Sequence, residues 1–219
     1  MIICSGCGGN AIGLASVFPL VVVNDIDPVK LQMLRNNGSV YNVSSKFEYV
    51  AADAYLVLKG MLSYRDIGDS VSTQVLRNIA RFDVALLAPP WGGLEYSAEE
   101  YFDLHTMMPC GDFYDLVDLT KDVADNIICI LPRNTAKKQI EEISLDLLDS
   151  AKYPCVVEDV YLWKKFKMTI VYFGLLFADP PKRRRKRRSN LITKSTQLDA
   201  YEISNEEISR EKTHIRFSV

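Results

Sequence analysis

The amino-acid sequence predicts an α/β protein with a mostly parallel β-sheet that ends in a C-terminal antiparallel hairpin. Three observations predict it. Short β-branched runs alternate with helical segments over residues 1–178, a glycine-rich turn follows the first run, and only a few residues separate the last two apolar runs. The 219 residues suffice for one such domain. No apolar run reaches the roughly 18 residues of a membrane span, so we expect no membrane contact.

The first half supplies three strands and three helices. "MIIC" predicts a short strand, "SGCGGN" a turn into a helix, and "LVVVND" a second, buried strand. Asp27 and Pro28 fit the N-cap and first position of a helix over "VKLQMLRNN". "FEYVAADAY" predicts the third strand, and residues 55–81 predict a mostly helical segment broken at 66–70.

The second half completes the sheet. "FDVALLA" predicts a fourth strand, residues 113–124 a helix, "NIICILP" a fifth strand and "TAKKQIEEISLDLLD" an amphipathic helix. "CVVEDVYLW" and "MTIVYFGLLF", separated by "KKFK", predict the hairpin. After Pro180-Pro181 the pattern stops, so residues 179–219 are expected to form a basic, largely disordered tail behind a domain over 1–178.

Charge and cysteine content narrow the function classes. The chain has a net charge of −2. The run "KRRRKRR", Lys182 to Arg188, contributes +7, so the other residues together carry −9. That balance argues against a broad electrostatic grip on nucleic acid by the domain itself, while a small ligand or the end of an RNA remains possible as a substrate. The five cysteines are an odd number, which favours a reducing compartment over a disulfide framework. Cys4 and Cys7 have C-x-x-C spacing, but the sequence has no second such pair to complete the four ligands of a zinc site.

The glycine turn predicts a nucleotide-type ligand. Gly6, Gly8 and Ala11 satisfy G-x-G-x-x-[GA] between a strand and a helix, and Asp25 closes the next strand nineteen positions after Gly6. The turn does not distinguish NAD from S-adenosylmethionine, and a tight turn without a ligand is the plainer alternative. Asp53 fits either a contact to an adenine amine or a helix N-cap.

The stretch "LAPPWGGLEY", Leu87 to Tyr96, ends the fourth strand with a rigid elbow followed by an indole. Ligands of doubly wound sheets bind at the carboxyl ends of strands. The Ala88 carbonyl would accept an N–H from an amine substrate, Pro89 would rigidify the elbow, and Trp91 would stack on a flat base, best a cationic one. A tryptophan that only fills the core is the alternative.

"DVALLAPPWGGLEY", "TMMPCGDF", "ILPRN" and "KKFKMTIVYFG" resemble the trimethylguanosine synthase family, from about Ile2 to Phe177. The resemblance implies a Rossmann-like class I methyltransferase that uses S-adenosylmethionine to methylate the N2 amine of the 7-methylguanosine cap of small nuclear and nucleolar RNAs, giving 2,2,7-trimethylguanosine. The implied catalytic residues are Ala88, Pro89 and Trp91. The implied cofactor-binding residues are Gly6, Gly8, Asn10, Asp25, Asp53 and Pro89, and the implied substrate-binding residues are Trp91, Tyr96, Arg133, Asn134, Lys165 and Lys167. For Asn134 a plain helix cap is the alternative.

The sequence departs from the family at three points. Ile2 stands where the family carries an acid, Ala88 stands where it carries a serine, and the chain begins inside the first strand, without the family's upstream helical segment. A second hypothesis is therefore a catalytically inactive or truncated homologue that acts as a cap-binding or RNP-associated module. A third hypothesis, an NAD-dependent oxidoreductase, lacks recognisable nicotinamide contacts and catalytic acids.

Lys182–Arg188 predicts a nuclear localisation signal read by an import receptor, with RNA tethering and a merely solvated charge run as alternatives. The expected location is the nucleus or nucleolus, and a cytoplasmic fraction is also compatible. Capped RNA is the expected partner, together with proteins of small nuclear or nucleolar RNPs.

Overall fold

A mixed β-sheet organises the chain in the computed structural model, which describes residues 1–65, 81–92, 96, 98–106, 108–149, 151–178 and 210–213. Within these residues the sheet has eight strands in the order β3-β2-β1-β4-β5-β7-β6-β8. Their bounds are β1 Ile2–Ile3, β2 Val21–Asp25, β3 Phe47–Ala51, β4 Ala85–Leu87, β5 Ile127–Pro132, β6 Cys155–Leu162, β7 Lys165–Phe173 and β8 Arg210–Thr213. The pairs among β1 to β5 are parallel and the remaining pairs are antiparallel, which confirms the predicted fold class.

Helices connect the parallel strands. They are α1 Gly9–Ala15, α2 Pro28–Val40, α3 Ala54–Arg65, α4 Phe113–Val123, α5 Lys137–Glu142 and α6 Leu175–Ala178, with a 3-10 turn at Ser44–Lys46 and a π-helical turn at Ile143–Leu147. Asp27 caps α2 as predicted, since its carboxylate accepts from the Val29 amide at 2.9 Å. None of the described helices is long and apolar enough to cross a bilayer.

Two apolar clusters cover the two faces of the sheet. One cluster packs α3, α4 and the π-helical turn on β5 and β7, with Leu87, Phe113, Leu131 and Phe173 among its buried members. The other packs α1 and α2 on β1 and β2, with Ile2, Val23 and Leu34 fully buried. Because both faces are covered, each residue of β2 and β5 is buried or partly buried, as expected for parallel strands.

The structure corrects two expectations and leaves others open. The β6–β7 turn is only Trp163-Lys164, since Leu162 pairs with Lys165, so most of the predicted "KKFK" connection belongs to β7. Residues 210–213, expected in a disordered tail, form β8 on the outer edge of β6, where Val157–Val160 supplies an edge of free backbone groups. The rest of the tail, including Lys182–Arg188, and the predicted helix break at 66–70 lie outside the described residues.

Candidate active site

A cavity of about 490 Å³ opens where β1, β2 and β4 reach their carboxyl ends. Its described lining comes from the glycine turn, the ends of β2 and β3, the β4 elbow and the loop before α4. These residues are Cys4, Gly6, Asn24, Asp25, Ile26, Lys30, Asp53, Ala54, Tyr55, Ala88, Pro90, Pro109 and Cys110. The volume is in the range of small-molecule sites, and the position is where open α/β sheets bind ligands.

Asp25 is fixed in the cavity floor by the backbone. Its Oδ2 accepts from the Gly6 amide at 2.8 Å and its Oδ1 accepts from the Asp27 amide at 3.0 Å. The residue is only 5% exposed, although it lines the cavity. Each carboxylate oxygen retains lone-pair capacity beyond these single bonds, so the group is oriented to accept from hydroxyls of a ligand.

The two glycines of the turn have different reasons to be glycine. Gly6 has a φ of +56° and no atom within 4 Å of a built Cβ, so it leaves cavity space open. Gly8 has a φ of +97°, and its Cβ would come within 2.7 Å of Leu34 Cγ. Gly8 therefore admits the close packing of α2, and the structure places both Gly8 and the exposed Asn10 outside the cavity lining.

Asp53 fits both roles that the sequence left open. Its Oδ1 accepts from the Leu56 amide at 3.1 Å, which is an N-cap bond at the start of α3, and the residue also lines the cavity. Its neighbour in the lining, Asn24, donates from Nδ2 to the carbonyls of Val50 and Ala52 at 3.1 and 2.8 Å. The amide of Asn24 thus joins the ends of β2 and β3 and holds Asp53 beside Asp25.

Several lining residues were not identified from the sequence. Lys30, in the first turn of α2, brings a cation to the two carboxylates, and its place just after Asp27-Pro28 was the available signal. Tyr55 donates its hydroxyl to the Asp112 carbonyl at 2.6 Å and thereby anchors the loop that carries Pro109 and Cys110. That loop has no periodic pattern that would place it here.

Cys4 lines the cavity with a φ of +59°. Burial first, and then the charges of Cys110, Asp25 and Asp53, raise the pKa of its thiol to about 12, although the charge of Lys30 opposes them. The thiol is therefore neutral at physiological pH and forms part of the wall as a small apolar group. All five cysteines are free thiols.

In the elbow after β4, residues that line the cavity alternate with one that is buried. Ala88 lines the cavity, and its amide donates to the Ile3 carbonyl at 3.2 Å, so its backbone is fixed against β1. Pro90 is exposed and also lines the cavity. Pro89 is buried between them and does not line it, so it stiffens the elbow from behind instead of facing a cofactor.

Trp91 is half-buried beside the cavity, not in its lining. Its Nε1 donates to the Ile130 carbonyl at 3.2 Å, and its ring meets Tyr96 edge to face at 5.6 Å between centroids. Tyr96 meets Phe102 in the same way at 6.2 Å. The indole is thus held by its edge in an aromatic row, which consists of Trp91, Tyr96 and Phe102, and is only partly buried.

Asn134 positions that row. Its Nδ2 donates to the carbonyls of Tyr96 and Glu99 at 2.8 and 3.1 Å, while its buried Oδ1 has no hydrogen-bond partner among the described residues. It is not the cap of α5, because Ala136 occupies that position, so the plain helix-cap alternative is wrong. The residue fixes the segment after the elbow and leaves one acceptor free.

The remaining basic residues lie past the same edge of the sheet. Arg133 follows β5 directly and is exposed, and Lys165 and Lys167 are exposed at the start of β7, which pairs with β5 up to Pro132–Met168. None of the three makes an ion pair in the described part of the chain. They give this edge a positive charge next to the aromatic row.

Ile2 lies away from the cavity lining. It is 0% exposed and packs with Ala11, Val23, Leu34 and Leu86 under the first two helices. The residue that departs from the family pattern is thus a core residue here, and the anionic side of the cavity is formed by Asp25 and Asp53.

The model of one protein family, described as RNA cap guanine-N2 methyltransferase, matches residues 1–176. The chain is 28% identical over 137 residues to the trimethylguanosine synthase of Schizosaccharomyces pombe, a match that covers 62% of this chain and 51% of that protein. It is 30% identical over 148 residues to the Saccharomyces cerevisiae trimethylguanosine synthase, a match that covers 67% of this chain and 42% of that protein. The chain therefore spans about half the length of these relatives.

The fold is also similar to that of a solved methyltransferase with much lower sequence identity. The magnesium protoporphyrin IX methyltransferase ChlM of Synechocystis PCC 6803, solved with bound S-adenosylmethionine, superposes with a TM-score of 0.50 at 13% identity. The match covers 79% of this chain and 67% of that one. At this identity the likeness shows the Rossmann-like methyltransferase fold and nothing finer.

Proposed function

The chain belongs to the RNA cap guanine-N2 methyltransferase family, and on that premise we propose that it transfers a methyl group from S-adenosylmethionine to the N2 amine of a 7-methylguanosine RNA cap. The substrates we propose are the capped small nuclear and nucleolar RNAs, with 2,2,7-trimethylguanosine as the product. One observation carries the proposal: a cavity with fixed carboxylates and the aromatic row of the elbow meet at Ala88-Pro89-Pro90.

The lining residues fit S-adenosylmethionine by charge and shape. Asp25 presents a carboxylate oriented by two backbone amides, which suits the diol of a ribose. Asp53 adds an acceptor for an amine, Lys30 a cation for a carboxylate, and Gly6 the open space at the turn. When bound there, the cofactor supplies an electrophilic methyl group on a sulfonium.

The elbow would position the base that carries the amine. The N–H···O bond to Ile130 and the contact with Tyr96 fix the plane of the Trp91 ring, so stacking costs little further conformational entropy. A 7-methylated guanine is cationic, and a cation over an indole gains about 2 kcal/mol when it is desolvated. The Ala88 carbonyl would accept an N–H of the amine and hold it toward the cavity.

The proposed reaction needs position more than acid–base help. An amine held in line with a methyl donor gains most of its rate from proximity and orientation. The described lining contains no histidine, and both carboxylates are already fixed by backbone amides. After transfer the amine proton would pass to solvent, while the Ala88 carbonyl would hold the amine through a hydrogen bond.

A second candidate is a cap-binding module that does not transfer methyl groups. Ala88 favours it, because this wall of the cavity lacks the hydroxyl that the family carries there. Under this candidate Trp91, Tyr96 and Arg133 still bind the cap, while the cavity holds no donor or holds one without reaction.

Nuclear location and RNP partners are further parts of the proposal, supported by the sequence alone. Lys182–Arg188 would bind an import receptor, and nuclear RNP proteins would present the capped RNA. A fluorescent fusion that lacks residues 182–188 should lose nuclear accumulation, and unchanged accumulation would remove this part.

Transfer of a labelled methyl group from S-adenosylmethionine to a 7-methylguanosine cap analogue tests the proposal. The wild-type chain should label the 7-methylated analogue and not its unmethylated counterpart, and Trp91→Ala should reduce labelling about 30-fold. Tyr41→Ala, which removes an exposed aromatic side chain at the end of α2, is the matched control and should not change it. Absence of labelling with intact cap binding would favour the second candidate.

A further inference from the structure

The tip of the β6–β7 hairpin, which we define as Leu162–Lys167, carries an exposed tryptophan in an unusual backbone conformation. Trp163 is 64% exposed and has a φ of +52°, and Lys164 follows with a φ of +62°. Two-residue turns of this geometry favour Asn-Gly, and a bulky residue in the left-handed region is strained. Neither burial nor turn chemistry explains a tryptophan here.

The charged residues of the hairpin tip itself are all basic. Lys164, Lys165 and Lys167 are exposed and have no ion pair or hydrogen bond among the described contacts. The sequence contains no acidic residue from Val160 to Ala178. Of the nearest carboxylates on β6, Asp159 pairs with Lys137 at 3.6 Å, and Glu158 is buried and accepts from Tyr172 at 2.8 Å through one of its oxygens.

The hairpin that carries the tip is linked to the elbow through β5. Trp91 bonds to Ile130, Ile130 pairs with Ile170 on β7, and β7 runs from there back to Lys165. At roughly 3.3 Å per strand residue, Trp163 lies about 20 Å along the hairpin from that register. This span exceeds one nucleoside, so a cap on Trp91 would not itself reach Trp163.

The pairing of β6 with β7 shifts by one residue at Lys167, since Val160 pairs with Met168 and Tyr161 with Phe166. Phe166, which stacks on Tyr161 at 5.2 Å between centroids, therefore shares the face of Thr169, Val171 and Phe173. Val171 and Phe173 belong to the apolar cluster against which Trp91 and Tyr96 pack. Phe166 continues that face toward the hairpin tip, and the exposed Lys165 and Lys167 flank it, between the aromatic row and Trp163 in the chain. An exposed aromatic ring beyond a row of cations is the arrangement that binds single-stranded nucleic acid by stacking bases and holding phosphates.

We propose that the hairpin tip is a second RNA-binding subsite, at which Trp163 stacks on a base downstream of the cap while Lys164, Lys165 and Lys167 hold the intervening phosphates. The inference rests on the proposed function in that it takes the substrate to be a capped RNA chain. Its ligand is the RNA chain after the cap, irrespective of sequence, because stacking and phosphate contacts do not distinguish bases.

The two tryptophans of the chain allow each subsite to be measured alone. In Trp91→Phe the fluorescence comes from Trp163, and an uncapped oligoribonucleotide of about ten residues should quench it with strong salt dependence. In Trp163→Phe the fluorescence comes from Trp91, and a 7-methylguanosine cap dinucleotide should quench it. An acidic polypeptide that quenches Trp163 as strongly as the RNA would overturn the proposal in favour of a protein partner.

Trp163→Ala completes the test. It should weaken binding of a capped oligoribonucleotide between about fivefold and a hundredfold and leave the affinity for the cap dinucleotide unchanged. Lys164→Ala should lower the slope of log affinity against log salt by about 0.7. Tyr41→Ala, equally exposed at 64% and at the far end of α2, is the matched control and should change neither affinity.

Equal affinity of wild type and Trp163→Ala for the capped oligoribonucleotide would overturn the subsite, whatever the cap dinucleotide does. Failure of the proposed function has a different signature: the wild-type chain would then neither bind the cap dinucleotide nor transfer a methyl group, while quenching of Trp163 by RNA would persist.

Discussion

The cavity floor and the aromatic row lie at the same edge of the sheet, but different interactions hold them. In the floor, Asp25 and Asp53 are fixed by backbone amides, and neighbouring Asn24 by carbonyls, within the parallel part of the sheet. In the row, Trp91 and Tyr96 are half-buried and are held by ring contacts and by the side-chain amide of Asn134. The floor is a rigid receptor for a small polar ligand, whereas the row and its lysines form an open surface for a larger, anionic one.

The largest expected effect concerns the core beneath the floor. Ile2→Asp would restore an acid at the position where the family carries one, but it would place a carboxylate among Ala11, Val23 and Leu34. We expect a loss of about 3–5 kcal/mol in the free energy of unfolding, because nothing there compensates the charge. Ile2→Val should cost only about 1 kcal/mol.

Urea unfolding of both variants measures this difference. The contradicting result is an Ile2→Asp variant that is as stable as Ile2→Val and binds S-adenosylmethionine more tightly than the wild type. That result would show that position 2 faces the cavity and does not belong to the core.

The two glycines of the turn give an intermediate effect that separates packing from binding. Gly8→Ala should destabilise the fold by about 1–3 kcal/mol, since the added methyl group would overlap Leu34. Gly6→Ala meets no neighbour and should cost about 1 kcal/mol from its left-handed backbone, while its methyl group occupies cavity space.

Thermal unfolding and titration with S-adenosylmethionine report the two quantities. Gly6→Ala should lose more affinity than stability, and Gly8→Ala more stability than affinity. The reverse pattern would show that Gly8, and not Gly6, faces the ligand.

The smallest expected effect lies in the loop that closes the cavity. His105 Nδ1 lies 2.8 Å from Asp112 Oδ2, and this hydrogen bond raises the pKa of His105 above its ordinary value near 6.5. A raised pKa means that the contact stabilises the fold fully below about pH 6.5 and that this contribution is lost as pH rises through the folded-state pKa. His105→Gln should therefore reduce stability slightly in acid and not at alkaline pH.

Proton NMR titration of the His105 ring checks the direction of the shift, with the spectrum of His105→Gln assigning the signal against His214. A pKa at or below 6.5, or equal stability loss at both pH extremes, would contradict the role of this pair in the loop.

The sequence predicted the part of the fold that local pattern controls. The β-branched runs, the Asp27-Pro28 cap and the strand-ending prolines are local signals, and the structure has the elements they predict. The short hairpin turn was missed because Trp163-Lys164 has none of the usual turn residues, and four polar or aromatic letters resembled a loop. β8 was missed because residues 210–213 carry almost no apolar pattern.

The site was predictable where a motif marks it. Gly6 and Asp25 were found from the glycine turn and its spacing, Asp53 from its place after the third strand, and Ala88 from the elbow; all four line the cavity. Pro109, Cys110 and Tyr55 reach it through a long-range contact between α3 and the loop before α4, which no local spacing encodes. Gly8 also matched the motif, but it is needed for the packing of Leu34. Spacing in the sequence alone does not distinguish a glycine needed for packing from one that faces a ligand.

Paired equilibrium titrations of Asp25→Ala and Trp91→Ala test the central claim most directly, which is that adjacent sites at one sheet edge bind the methyl donor and the cap. Asp25→Ala should lose about tenfold or more in affinity for S-adenosylmethionine and keep its affinity for the 7-methylguanosine cap analogue. Trp91→Ala should lose its affinity for the cap analogue and keep its affinity for S-adenosylmethionine. If Asp25→Ala bound the donor as the wild type does, or if Trp91→Ala kept the cap, the assignment of the two sites would be wrong.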